Sequence, residues 1–366
     1  MTAVFVYSQA ASANEKCLTG SAGNNHLIQQ FESAKKNSAI TKSLLSKYNI
    51  TTLPTPVNTD PNCTEDCLEG ISPYKFENIQ AIRNNILPKP TIKLACLEAA
   101  ASAKSGSAER HCPSGKTVRP ANSCITASLL QYQNAVITDF HKCIKTLTDA
   151  PITMSSLFEM YSQESHFRPN YSYTGGQGLG QVTSIFVKDT TQKHRGLDTL
   201  KKIGSSQSNE CAIAKTIAKK DVQKLPVLNN NKCGFIQYGE GVERNILHTM
   251  VGLTTLWEKS LSKTLKNYMH THKNDPKLER AKELALLNSY GRGGIAAGVA
   301  AARRLSRLKP ANFIQSINKP LYASKGKNLT AYLTEIHSRQ KSLISKLPQA
   351  EKTAFEQTGA HACINN

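Results

Sequence analysis

Acidic residues are scarce in this 366-residue chain: 26 Asp and Glu stand against 46 Lys and Arg, a net charge of +20. A surplus of that size points to an anionic partner, whether nucleic acid, an acidic membrane surface or an anionic polymer such as cell-wall glycan with its peptides. Aromatic residues are few, at 6% with a single Trp. Periodic apolar segments nevertheless recur, so a folded, mainly helical chain is expected. No apolar run reaches the roughly 18 residues that a membrane span needs; residues 295–302 are short and Gly-interrupted. The chain also lacks Gly-x-x-x-x-Gly-Lys-Ser/Thr, His-Glu-x-x-His and Gly-x-Ser-x-Gly. Those absences argue against P-loop, zincin and serine-hydrolase chemistry. The glycines from Gly175 to Gly180 do not match Gly-x-Gly-x-x-Gly and follow no strand pattern, so dinucleotide binding has no support.

Ten cysteines lie at positions 17, 63, 67, 96, 112, 124, 143, 211, 233 and 363. Cys63 and Cys67 form the one close pair, and no second close Cys or His pair completes a zinc-ligand set. The reading is disulfides in an oxidising compartment. Ala3-Val4-Phe5-Val6-Tyr7 resembles the end of an apolar segment, and Ala11-Ser12-Ala13 is an Ala-x-Ala cleavage site. Residues 1–13 therefore read as the remnant of a signal peptide, and the protein as periplasmic or secreted.

Residues 14–148 hold seven of the ten cysteines. Short helical patterns (27–48, 74–87, 92–103) alternate there with Pro-, Asn- and Ser-rich connections. A longer amphipathic helix follows over 124–147, with Leu129, Tyr132, Val136, Phe140, Cys143 and Ile144 along one face. This region carries no chemical motif. From residue 149 to 347 helices are predicted over 183–194, 243–268, 275–287, 295–308 and 329–347. The Lys-rich stretch 197–241 reads as a surface excursion that Cys211 and Cys233 can staple, and residues 348–366 as a tail.

One helix of this second region carries the chemistry. Asp149 can cap it and Pro151 suits its first turn, while Met154, Leu157, Phe158 and Tyr161 repeat as i, i+3, i+4, i+7. The stripe ends on Glu164, and Pro169 stops the helix beyond it. A carboxyl held against apolar walls resists ionising and can act as a general acid near neutral pH. The plainer alternative is a helix-end Glu that turns into water or caps backbone. Gln181, in the Gly-rich turn that follows, offers an amide suited to sugar hydroxyl and acetamido groups, or to local backbone. Tyr290, beside a second Gly-rich break, suits either a hydrogen bond to a carboxylate or sugar, or helix-end packing. The basic run from Arg303 to Lys309 suits phosphate contact or a solvated helix face.

Four segments together carry a resemblance. Ser162-Gln163-Glu164-Ser165-His166-Phe167, then Gly178-Leu179-Gly180-Gln181-Val182-Thr183, then Asn245-Ile246 with Gly252 and Leu256, then Ala285-Leu286-Leu287-Asn288-Ser289-Tyr290-Gly291 are similar to the ordered motifs of soluble lytic transglycosylase catalytic domains, relatives of goose-type lysozymes. The likeness covers residues 150–347 and none of the N-terminal third. It implies a lysozyme-like helical domain, which would follow the cysteine-rich helical region read above from the residues themselves. The substrate would be the β-1,4 linkage between N-acetylmuramic acid and N-acetylglucosamine in peptidoglycan strands. Glu164 would be the general acid/base, Ser165, Gln181 and Thr183 would meet the sugar, and Tyr290 would position Glu164. No metal, cofactor, nucleic acid or membrane span is implied, and a monomer is expected.

Two departures from the family pattern bear on specificity. Gly180 stands where the family has a Met that packs on a sugar, and Gly291 stands where it has an Asn. Both are expected to widen the cleft, which brings in a modified or de-acetylated glycan. Goose-type lysozymes carry an Asp where this chain has Thr183, and no acidic residue occurs between Glu164 and Asp189. A single carboxyl suits the transglycosylase route, with a 1,6-anhydro product, better than hydrolysis by two carboxylates. The alternatives are a hydrolytic goose-type-like lysozyme, with Asp189 as a distant second carboxylate, and a non-catalytic wall-binding module.

Overall fold

The computed structural model describes residues 31, 33–48, 91–102, 110–111, 117–118, 127–169, 176–188, 196–224, 235, 239–291, 295–315 and 330–365. The chain is mainly helical. Helices α1 (Ala39–Lys47), α2 (Leu94–Ser102) and α3 (Ala127–Leu147) come first, with a two-residue ladder pairing Arg110–His111 and Thr117–Val118 between the last two. Then follow α4 (Met154–Glu164), α5 (Ser184–Val187), α6 (Leu197–Ser205), α7 (Ala212–Gln223) and α8 (Gly241–Leu256). After shorter turns come α9 (Leu278–Tyr290), α10 (Ile295–Leu305), α11 (Pro310–Gln315), α12 (Ala331–Ile344) and α13 (Gln349–Thr358). Among the described residues no helix is long and apolar enough to cross a membrane.

Helix α4 is the central element. Met154, Leu157, Phe158 and Tyr161 are all buried, as their spacing predicts, and so are the residues between them. Such a helix is walled by protein on every side. Its start differs from the predicted one. Thr153, not Asp149, is the cap: its hydroxyl accepts the Ser156 N–H at 3.1 Å, and the Ser156 hydroxyl accepts the Thr153 N–H at 3.0 Å. This reciprocal pairing satisfies two exposed donors at once, which a lone Asp149 four residues earlier does not. Its end also comes early. Ser165 gives its N–H to the Tyr161 carbonyl, and His166 and Phe167 both take left-handed backbone, at φ 54° and 57°. Two such residues in a row turn the chain before Pro169 is reached.

The predicted face of α3 is buried in full, from Leu129 to Ile144. One apolar core runs from Phe31 to Cys363, so the described parts before residue 149 share their interior with the helices after it. Two disulfides brace it, Cys96–Cys363 and Cys143–Cys211. The second replaces the expected Cys211–Cys233 staple, because packing of α3 beside the turn before α7 leaves the Cys143 and Cys211 Cα atoms 4.6 Å apart. Residues 17, 63, 67, 112, 124 and 233 lie outside the described ones, as does the helix predicted over 74–87.

Three further spans differ from the reading above. The stretch 197–224 is no excursion: α6 and α7 pack on each other, burying Leu200, Ile203, Ile213 and Ile217. The helix predicted over 243–268 loosens into a wider turn at Trp257–Leu261 and breaks at Leu265. The supposed tail is α13 plus a tight turn over Gly359–Cys363; there the Cys363 carbonyl accepts the Lys93 N–H at 2.8 Å and Ile364 bridges to Ile92.

Candidate active site

Three helices meet at Glu164. It is the last residue of α4, Tyr290 is the last of α9, and Tyr332 lies in the first turn of α12. The Tyr332 hydroxyl donates to Glu164 Oε1 at 2.6 Å. One and a half turns back along α4, Glu159 accepts from Arg280 of α9 at 2.6 Å and from Gln340 of α12 at 2.7 Å. Arg280 also donates to Glu283 at 2.8 Å. A fully buried carboxylate thus ties together the three helices whose opposite ends carry Glu164, Tyr290 and Tyr332. Removing one partner of such a group strands a charge in the interior, so the register of the three helices is strongly held.

Glu164 is half-buried, and crowding around its carboxyl pushes its pKa up to about 7. Burial is the main cause; the negative charge of Glu335 adds to it, and the Tyr332 hydrogen bond opposes it. A pKa near the working pH lets one group give a proton and take one back. The opposing bond leads to a test. In Tyr332→Phe the carboxylate loses a donor, so the Glu164 pKa should move above 7. The alkaline limb of any activity that needs the protonated acid should move up with it, and pH–rate profiles of the two proteins check this.

The Gly-rich turn is held beside the phenols. Gln177 and Val182 pair backbone to backbone at 3.0 and 2.9 Å, closing a loop over Gly178–Gln181. Asn245 of α8 clamps it from below, accepting the Gly180 N–H at 3.0 Å and donating to the Gln177 carbonyl at 2.7 Å. The Tyr290 hydroxyl donates to the Gly180 carbonyl. Gly178 takes φ 69°, where a side chain is strained and would also strike Asn245. Phe186, on α5, stands edge-on to Tyr290 with ring centres 5.1 Å apart.

The predicted site residues fall into two groups. Glu164, Tyr290 and the loop bearing Gln181 come together. Gln181 has φ 48° and sends its amide back to the Gly178 carbonyl at 2.8 Å, so in this state it stiffens the loop. Thr183 caps α5 by accepting the Phe186 N–H at 3.1 Å, which aims Phe186 at Tyr290. Ser165 does not line an open surface: it is fully buried and bonds the Tyr161 carbonyl at 3.3 Å, because the left-handed turn folds it under the helix end. Asp189 lies outside the described residues.

The two departures do not widen the site. A Cβ on Gly180 would fall 2.1 Å from the Thr249 hydroxyl, and one on Gly291 would fall 2.0 Å from the Tyr332 ring. The space beside each glycine is filled, by Thr249 and by the phenol that holds Glu164. Gly180→Ala should therefore destabilise the protein by about 1–3 kcal/mol through overpacking. Adding Thr249→Ala should return part of that loss, a coupling that urea unfolding of the single and double variants measures.

Sequence reasoning missed Tyr332, Glu335 and the Glu159–Arg280–Gln340 tie. A phenol at the edge of the apolar stripe of the last predicted helix, beside Leu333 and Ile336, was the available signal. Glu335 lies one turn on from Tyr332 and accepts from Gln163 at 3.2 Å, bringing a second carboxylate near Glu164 from 171 positions further along the chain. Among the described residues no cluster of three or more His, Cys, Asp or Glu could hold a metal. No family model, curated protein or solved structure matches this chain, so what the site can do rests on its own geometry.

Proposed function

We propose that this protein is an exported, monomeric enzyme with a lysozyme-like helical domain that cuts the β-1,4 bond between N-acetylmuramic acid and N-acetylglucosamine in peptidoglycan, as a lytic transglycosylase. The observation that carries the reading is the half-buried Glu164 carboxyl, with a pKa of about 7, bonded to Tyr332 beside a rigid turn. Glu164 gives its proton to the glycosidic oxygen as the bond to C1 breaks. The resulting carboxylate then takes the proton of the muramic acid C6 hydroxyl, whose oxygen closes on C1. The acid is restored and a 1,6-anhydro end is left; the route uses no metal or cofactor. The two disulfides fit a periplasmic or secreted location.

Glu335 favours a second reading. As a carboxylate near Glu164, it supplies what two-carboxyl hydrolysis needs, a base for water. The test is digestion of purified sacculi, normal and de-acetylated, with product masses. Anhydro ends support the transglycosylase; free reducing ends that vanish in Glu335→Gln assign hydrolysis. Binding without any cut ends leaves a wall-binding module and overturns both enzyme readings.

A further inference from the structure

From residue 284 to residue 334, between the helices that carry Tyr290 and Tyr332, the chain has no Asp or Glu and eight Lys or Arg. In the described part of that segment Arg303, Arg304, Arg307 and Lys309 are all exposed, at the end of α10 and just beyond. Lys263 is exposed on the Ser262–Thr264 turn, which packs against α10. None of the five belongs to an ion pair among the described residues, whereas Lys47, Lys220, Lys259 and Lys282 all do. Like charges left together without ion-pair partners repel one another, and that repulsion is relieved when an anion arrives.

The position of this face bears on the choice of anion. A Cβ on Gly298 would lie 2.8 Å from the side chain of Ser289, so the first turn of α10 rests on the helix that ends at Tyr290. From Gly298 to Arg303 is five residues, about 7.5 Å of helix. A molecule long enough to reach Glu164 and extend past it along α10 meets these cations. The sugars of a peptidoglycan strand bear no charge at the cut bond; its anions are the carboxylates of the peptides attached to muramic acid.

We propose that Arg303, Arg304, Arg307, Lys309 and Lys263 dock the peptide carboxylates of the strand, making peptide-bearing glycan the substrate in preference to naked glycan. This rests on the glycan-cleaving reading above and adds the part of the polymer that is gripped. Exposed single ion pairs are weak, but carboxylates repeated along one strand engage several cations in succession and bind by effective concentration.

The test uses full-length Glu164→Gln protein, which holds substrate without cutting it. The probes are intact sacculi, sacculi stripped of peptides by an amidase with the freed lactyl carboxylates then converted to neutral amides, and phosphatidylglycerol vesicles. Binding to intact sacculi should be at least tenfold tighter than to stripped sacculi and should weaken steeply with salt. Adding Arg303→Glu, Arg304→Glu and Arg307→Glu should remove that preference, while Lys at the same three positions should keep it; melting curves verify that both sets fold. Equal binding to intact and stripped sacculi, or no effect of the three Glu substitutions, overturns the proposal. So does a charge-dependent preference for the vesicles, which assigns the face to a membrane. Failure of the parent protein to cut any sacculi overturns the reading of Glu164 instead, and the binding comparison still decides this one.

Discussion

Glu164→Gln is expected to lower cleavage of sacculi by about 10³-fold or more, since in the proposed route one side chain serves as acid in one step and base in the next. Gln keeps the shape and can still accept from Tyr332, so the loss should leave the fold intact. Stability supplies a second readout, independent of substrate. The folded-state pKa of Glu164 is raised from the ordinary 4.5 to about 7. A carboxyl raised in this way favours folding most while it is protonated, below about pH 4.5, and that contribution is lost as pH climbs through 7. Wild type should therefore lose stability against Glu164→Gln between pH 4.5 and 7, with the difference level above that window. Thermal melts of the two proteins from pH 4 to 8 check the sign. Retained cleavage, or a stability difference that ignores pH, would remove Glu164 from its role.

The place of Glu164 at the end of a buried helix was legible in the sequence because its signal is local. The i, i+3, i+4, i+7 stripe from Met154 needs one helix and no knowledge of neighbours, and all four of its apolar members are buried. Tyr290 and the Gly178–Gln181 turn were legible for a similar reason, as breaks directly after amphipathic helices. Asn245 was visible only as part of a pattern; that its amide spans Gly180 and Gln177 is a fact of tertiary packing. Tyr332 and Glu335 reach Glu164 through a helix 168 residues further on, and periodicity says nothing about which stripes share a core. The two glycines show the same limit. Gly180 and Gly291 suggested empty space, but the partners that fill it, Thr249 and Tyr332, lie on other helices. Ser165, read as a sugar contact, is buried where two left-handed residues follow it, a conformation for which non-Gly side chains give little warning.

The cysteines are the other place where long-range contact decides the outcome, and they set the second large effect. Cys96–Cys363 closes a loop with a sequence separation of 267, and Cys143–Cys211 one of 68. In the chain-entropy view these closures restrict the unfolded state by about 5–6 and about 4 kcal/mol. The loops overlap, so the combined effect is less than the sum, yet either alone is a large share of the roughly 5–15 kcal/mol that holds a typical domain folded. Paired Cys96→Ala and Cys363→Ala substitutions, or reduction of wild type, should lower the unfolding midpoint by about 7 °C or more. Activity should fall before global unfolding. Helix α2, which carries Cys96, packs on α12, which carries Tyr332, and its Ala101 carbonyl accepts from Arg168, four residues past Glu164, at 3.0 Å. Loosening α2 therefore frees both the phenol and the turn that hold the acid. Melting curves with and without reductant, beside cleavage assays at a temperature where the reduced protein is still folded, separate the two effects. An unchanged midpoint on full reduction would show that packing alone secures α2 and α13, and would leave the compartment inferred from these bonds without support.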